Sequence, residues 1–160
     1  MLRPRWMQAG RLPCSVSLLS LRCLTVVLTC PTCLRGLPER EWLMRAPTLR
    51  RKLALTAKVQ DEVGHAQLLY RVAEDLGKSR EAMFDDLLAG RTKFHNVFHY
   101  PTKTWADVGI IAWLVDAAAI VAQQALRDSS YAPYARIMKK ICWEESFHIM
   151  HGRDVVVTMA

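Results

Sequence analysis

Apolar residues recur from Glu39 onward at the three- and four-residue spacing of amphipathic helices, and no alternating strand pattern occurs. The first long stripe runs from about Thr48 to Leu76 and is closed by Gly77. Ser79 then predicts the cap of a short helix that ends near Leu88. The pattern therefore predicts an all-α fold.

Two further helices are predicted after a polar and aromatic loop. Thr104 and Asp107 form a capping-box signature, and the run from Val108 to Ala122 contains Asp116 as its only charged residue. This run is too short to cross a bilayer, which predicts a helix enclosed by protein rather than by a membrane. Pro133 opens the last helix, because proline is tolerated in a first turn.

Two copies of a Glu-x-x-His motif lie on the apolar stripes, Glu62 with His65 and Glu145 with His148. Residues three apart share one face of a helix, so each motif directs a carboxylate and an imidazole to the same place. A single copy arises often by chance, with an exposed Glu beside a satisfied His. Two copies on buried stripes are typical of a ferritin-like four-helix bundle that holds two metal ions.

Asp116 strengthens this interpretation. A carboxylate in the middle of an apolar helix is costly unless it is paired or bound to a cation. The buried stripes traced from the sequence offer histidines and no Lys or Arg to neutralise the three acids. We therefore predict a metal site with these ligands: Glu62, His65, Asp116, Glu145 and His148.

Other polar residues indicate less specific roles. Glu144 points about 100° away from Glu145 around the helix, as a solvated residue or one that supports a ligand. His95 and His99 lie among aromatic residues, which favours loop packing over a second metal site. The basic cluster of residues 50–52 is predicted to be a solvated surface, though such clusters can meet phosphates.

Composition divides the chain into residues 1–38 and 39–160. The net charge is +7, yet the first segment has five arginines and no Asp or Glu, so the remainder is nearly balanced and predicts no nucleic-acid groove. The first segment has features of a targeting sequence, or of a shifted reading frame. It also holds Cys30-x-x-Cys33, a weak signal for a zinc or redox site.

From Trp42 to about Met159 the chain resembles the catalytic A subunits of bacterial ring-1,2-phenylacetyl-CoA epoxidases. The resemblance is carried by RAPTLRRKLALTAKVQDEVGH, YPTKTWADVGIIAWLVDAAAIV and SYAPYARIMKKICWEESFH. It implies a ferritin-like bundle with a di-iron centre, O2 as oxidant and an aromatic CoA thioester as substrate. It further implies a cytoplasmic complex with a reductase that delivers electrons from NADPH and with a structural partner subunit.

Carried over by position, the resemblance assigns metal ligation to the same five residues and places Lys58 and Lys93 near the CoA phosphates. It also expects a first-helix Glu ligand where this chain has Thr32, and an Asn where it has Ala122. Neither Glu39 nor Glu41 is expected to replace the missing ligand, because both follow Pro38 in what resembles a turn.

The sequence thus predicts a partial ferritin-like epoxidase domain over residues 39–160, incomplete at both ends and with five of its six expected ligands. An alternative is a non-catalytic helical fragment that pairs with the partner subunit. A third is a ferritin-like iron-binding protein, although that class generally uses more carboxylates at each site.

Overall fold

The computed structural model describes residues 39–92, 97 and 100–160, so the acid-free segment lies outside it. Glu39 and Arg40 are helical, and the helices that follow are numbered here in chain order: α1 (Leu49–Asp75), α2 (Arg80–Leu88), α3 (Trp105–Ile110), α4 (Asp116–Gln124) and α5 (Ala132–Met159). A π-helical turn, Ile111–Val115, joins α3 to α4. These described residues contain no strand, and the all-α prediction is confirmed.

The helix ends follow local rules that the sequence displays. The Thr104 hydroxyl accepts a hydrogen bond from the Asp107 amide, and the Asp107 carboxylate accepts one from the Thr104 amide, which completes the predicted capping box. The predicted caps and breakers lie at or just beyond helix ends: Thr48, Gly77, Ser79 and Pro133. Local chemistry therefore fixes where each helix begins and ends.

The long helices α1 and α5 run antiparallel. Their polar contacts climb one helix while they descend the other: Arg51 with Asp154, Asp61 with His148, His65 with Glu144, and Tyr131, the residue before α5, with Asp75. Each end of one helix therefore meets the opposite end of the other. This register places the two Glu-x-x-His motifs face to face.

Two apolar clusters lie along this helix pair. One is formed by α1 and α5 residues: Leu69, Val72, Ala73, Tyr134, Met138 and Ile141. The other joins Trp42, Leu55 and Val108, with Trp105 packed against them. The motif residues occupy the α1 and α5 turns between these clusters, and their side chains are fully buried. The fold thus encloses a polar layer between two apolar ones.

The α3 helix crosses α5 at a close backbone contact between Gly109 and Gly152. A Cβ atom on Gly152 would lie 2.4 Å from the Trp113 amide nitrogen and 2.7 Å from the Gly109 carbonyl oxygen. Only glycine permits this approach, because any side chain would overlap the facing backbone. The crossing holds the segment that leads to Asp116 directly against α5.

The helical run Trp105–Gln124 is 20 residues long with a mean hydropathy of 1.8, enough by length and composition to cross a membrane. The prediction that this segment is too short is therefore wrong, because the helix extends beyond the uncharged stretch on both sides. Asp116 lies at its middle and is fully buried beside Lys58. A packed helix satisfies this carboxylate, whereas a lipid environment would leave it costly. Length and apolarity alone fit both environments, and the charge pairing favours the packed one.

Candidate metal centre

Helix α1 carries Glu62 and His65 on its buried stripe. Leu55 lies two turns before Glu62 and Leu69 two turns after it, so both motif residues share the face that packs against α5. Glu145 and His148 hold the equivalent position on α5. All four motif side chains have 0% exposure, which removes their polar atoms from water.

Asp116 reaches the same place from the third direction. It follows the π turn, and the wider winding of such a turn rotates later residues relative to an uninterrupted α-helix. The result is a marked contrast within a few residues. Leu114 is 55% exposed, whereas Asp116 is fully buried between α1 and α5.

The five predicted site residues converge in the polar layer. Ligand atoms of Glu62, Asp116, Glu145 and His148 all lie within 4.8 Å of one another. His65 lies at the edge of this group, with its Nδ1 atom 3.5 Å from Glu145 Oε1 and 3.9 Å from Glu62 Oε2. The arrangement offers three carboxylates and two imidazoles to a single buried volume.

Sequence comparison identifies the group of proteins that shares this arrangement of residues. A family model described as phenylacetic acid catabolic protein matches residues 24–160. The chain belongs to this family. It is 56% identical over 124 residues to the A subunit of the 1,2-phenylacetyl-CoA epoxidase of Escherichia coli (strain K12), a match that covers 78% of this chain and 40% of that protein. The chain therefore spans less than half the length of this curated relative.

Lys58 shows how this member of the phenylacetic acid catabolic protein family handles its buried acids. Its ammonium nitrogen lies 3.0 Å from Glu62 Oε1, 3.0 Å from Asp116 Oδ2 and 3.2 Å from Glu39 Oε2, and its side chain is fully buried. The prediction that the stripes contain no Lys or Arg was wrong. Lys58 precedes Glu62 by four residues and therefore shares its face.

This position also contradicts the predicted contact of Lys58 with CoA phosphates. The ammonium has three donors, and three carboxylates lie within ion-pair distance of it, with none of its surface open to solvent. Burial opposes the charge of Lys58. The charges of Glu39, Glu62 and Asp116 outweigh that effect and hold the pKa of the ammonium well above its usual range.

Glu39 lies beside the site, contrary to the sequence-based expectation. It belongs to a helical turn rather than a loop, is 1% exposed and forms an ion pair with Lys58, although its oxygens are not among the four-residue ligand group. Burial raises the pKa of Glu39 to about 7, against the lowering effect of Lys58. Glu41 is exposed, as expected of a residue outside the site.

Each histidine is supported by an acid from the opposite helix. Glu144 Oε2 lies 2.9 Å from His65 Nε2, and Asp61 Oδ2 lies 3.3 Å from His148 Nε2. These acids come directly before the Glu of each motif, so an acid-Glu-x-x-His repeat on antiparallel helices produces crossed pairs. Both imidazoles thereby turn Nδ1 toward Glu145, at 3.5 Å for His65 and 3.2 Å for His148. The sequence signal for Asp61 was this repeat, which neither motif reveals when it is considered singly.

The protonation of the supporting pair follows from the same contacts. Burial opposes a charge on His65, but the hydrogen bond to Glu145 and the charge of Glu62 raise the pKa of its imidazole overall. Burial likewise acts to raise the pKa of Glu144, and hydrogen bonds from Lys140 and His65 outweigh it and lower that pKa. Glu144 is therefore a charged acceptor that fixes the orientation of His65.

The donor set fits iron. Four buried carboxylates, those of Glu39, Glu62, Asp116 and Glu145, face the one buried ammonium of Lys58 among the described residues. Clustered acids of this kind are stabilised by cations, and carboxylate and imidazole donors suit iron. The remaining negative charge and the two Nδ1 atoms turned inward match what a pair of metal ions requires.

Several predicted residues lie outside the described part of the chain: Thr32, the four N-terminal cysteines, Lys93, His95 and His99. The substrate role of Lys93 and the ligand gap at Thr32 therefore stay predictions. Ala122 is exposed on α4. Within the basic cluster, Arg51 Nη1 pairs with Asp154 Oδ2 at 2.6 Å, which ties the start of α1 to the end of α5.

Proposed function

We propose that this chain is the metal-binding part of an oxygenase subunit that uses O2 to epoxidise the aromatic ring of phenylacetyl-CoA. The observation that carries the proposal is the convergence of Glu62, Asp116, Glu145 and His148 in a member of the phenylacetic acid catabolic protein family. The name of the E. coli relative supports the substrate and the reaction. The alternation of apolar and polar layers supports a site from which bulk water is excluded.

The residues divide into ligands and supports. Two iron ions would be held by Glu62, His65, Asp116, Glu145 and His148, and with electrons from NADPH delivered by a reductase they would supply the reduction of O2. Asp61 and Glu144 hold the imidazoles in one orientation. Lys58 compensates the carboxylates on the side that faces Glu39.

The proposal includes a cytoplasmic complex. A structural partner subunit would complete the enzyme, because the chain spans only 40% of its curated relative. Thr32 stands where the resemblance expects a sixth ligand, so we propose that turnover by this chain is impaired relative to that of a protein with Glu at this position.

Iron binding tests the proposal directly. The full chain, reconstituted anaerobically with Fe²⁺, is expected to retain about two iron ions per chain. Glu145→Gln should lose most of this iron, because a buried ligand becomes neutral. Glu81→Gln, at an exposed position in the first turn of α2, is the matched control and should retain it.

Turnover separates the oxygenase from other iron proteins. The iron-loaded chain is assayed with reductase, partner subunit, NADPH, O2 and phenylacetyl-CoA, and O2-dependent epoxide is the expected product. A chain that binds no iron under reducing conditions would rule out the proposal. Iron loading without any epoxide would favour the ferritin-like iron-binding alternative.

Glu144→Gln is expected to weaken iron affinity about 10- to 100-fold, because residues that orient a metal-bound His contribute that much to affinity. Competition with a chelator of known affinity measures the change without relying on turnover. Lys140→Gln removes the other ion-pair partner of Glu144 and leaves the His65 contact, so it should have a much smaller effect. Equal losses in both variants would show that surface charge, not orientation of His65, controls affinity.

The non-catalytic fragment remains a second candidate because several apolar side chains are exposed. Leu114 is 55%, Val121 70% and Trp143 78% exposed. Such side chains on neighbouring helices form a surface that suits a protein partner. Stable pairing of the chain with the structural subunit, without iron and without epoxide, would establish this function instead.

A further inference from the structure

A cavity of about 520 Å³ lies between the first turns of α1 and the C-terminal half of α5. It shares no lining residue with the proposed metal ligands. Its walls combine cationic, aromatic and apolar side chains, chiefly Arg50, Arg51, Phe147, Met150, His151 and Arg153. The cavity therefore offers both charge and a flat apolar surface to one ligand.

The cavity carries uncompensated positive charge. Arg50 and Arg51 lie in the first turn of α1, which contains no acid and where the helix dipole is already positive. Asp154 pairs with Arg51, whereas Arg50 and Arg153 form no ion pair with any other described residue. Three arginines and one aspartate leave a net charge of +2 at this site.

His151 provides a buried polar group in the cavity wall. Its side chain is 7% exposed, and its Nε2 atom has no hydrogen-bond partner among the described residues. Burial lowers the pKa of His151 to about 4, and the charge of Arg51 adds to that effect. The neutral ring can carry its proton on Nε2 and donate it to a bound anion, which would satisfy an otherwise costly buried atom.

The apolar part of the wall favours a ring. Phe147 stacks on His151 with ring centroids 6.3 Å apart and an interplanar angle of 12°. Met150 beside them is 63% exposed. A flat apolar body placed here would cover exposed aromatic and thioether surface, which is favourable for binding.

We propose that this cavity binds an organic phosphate, with the phosphate on Arg50, Arg153 and His151 and a flat apolar body against Phe147 and Met150. A phosphate monoester at neutral pH carries close to two negative charges, which matches the charge of the site. The proposal goes beyond the epoxidase function, since it involves none of the metal ligands and requires no iron.

Phenyl phosphate is the probe, and isothermal titration calorimetry of the iron-free full chain measures its binding. We expect saturable binding that weakens as NaCl is added, because salt screens the exposed arginines. The double variant R50Q/R153Q should lower affinity at least about tenfold, the size expected for lost charge-assisted hydrogen bonds. The matched control R71Q/R136Q changes the net charge equally at exposed positions outside the cavity and should bind as the wild type does.

His151→Phe keeps the ring and removes Nε2, and it should weaken binding about three- to tenfold. If this variant fails to fold, the exposed Arg50 and Arg153 still decide the matter. Equal weakening in both arginine double variants would overturn the proposal in favour of a diffuse field. Absence of binding at millimolar phenyl phosphate would overturn it, as would equally tight binding of inorganic phosphate. None of these results affects the iron stoichiometry that tests the proposed function.

Discussion

Replacing Lys58 by Met is expected to lower the free energy of unfolding of the metal-free chain by about 3–5 kcal/mol, the cost of removing one partner from a buried ion pair. Met preserves much of the volume of the side chain and removes only the ammonium. Glu39, Glu62 and Asp116 would then be left as buried acids without their shared cation. Thermal unfolding should show a midpoint more than about 10 °C below that of the wild type.

Two companion variants separate charge from packing. Lys139→Met makes the same change at an exposed position of α5 and should alter stability by less than about 0.5 kcal/mol. Adding Glu39→Gln to Lys58→Met should recover part of the loss, because one acid no longer needs a cation. If Lys58→Met unfolded at the wild-type temperature, the buried ion-pair network would have no stabilising role.

Iron should reverse part of the defect caused by Lys58→Met. The proposed metal ions share Glu62 and Asp116 with the ammonium, so they can supply the positive charge that the variant lacks. A ligand that binds only the folded chain stabilises it in proportion to its affinity and concentration. Fe²⁺ should therefore raise the unfolding midpoint of the variant by more than it raises that of the wild type.

The helices and their buried faces could be predicted because they depend on local rules. Thr104 and Asp107 cap a helix through atoms three residues apart, and the apolar spacing around Glu62 and Glu145 fixes which face is buried. Three-residue spacing then dictates where His65 follows. The convergence of these residues with Asp116 required only that the buried faces meet.

The environment of the carboxylates could not be predicted in the same way. Lys58 lies on the buried stripe, but a lysine is ordinarily assigned to the surface, and only the approach of Asp116 from α4 gives it enough partners to remain charged. Glu39 meets Lys58 through chain folding, not through helical spacing. The pairing of Asp61 with His148 likewise depends on the antiparallel register of α1 and α5.

Gly152→Ala is expected to destabilise the chain by about 3 kcal/mol or more, at the upper end of the range for overpacked sites. The new Cβ would lie 2.4 Å from the Trp113 amide nitrogen and 2.6 Å from the Ala112 carbonyl carbon. Both are backbone atoms, so no change of rotamer relieves the overlap. The two helices must move apart instead.

That movement should also reach the metal centre. Gly152 follows His148 by one turn of α5, and Trp113 precedes Asp116 by three residues, so a wider crossing draws Asp116 away from His148. Iron affinity should fall together with stability. Denaturant unfolding and chelator competition on the same protein measure the two effects.

Two other glycines grade the prediction. Gly109→Ala meets mainly the Val155 side chain, at 2.7 Å, and a side chain can shift, so its cost should be smaller than that of Gly152→Ala. Gly64→Ala, between the two residues of the first motif, meets nothing within 4 Å. It should stabilise α1 by about 0.5–1 kcal/mol, because alanine loses less backbone freedom on folding. Opposite signs for Gly64 and Gly152 would show that backbone contact, not glycine content, holds Asp116 against α5, whereas a tolerated Ala at position 152 would refute the close crossing.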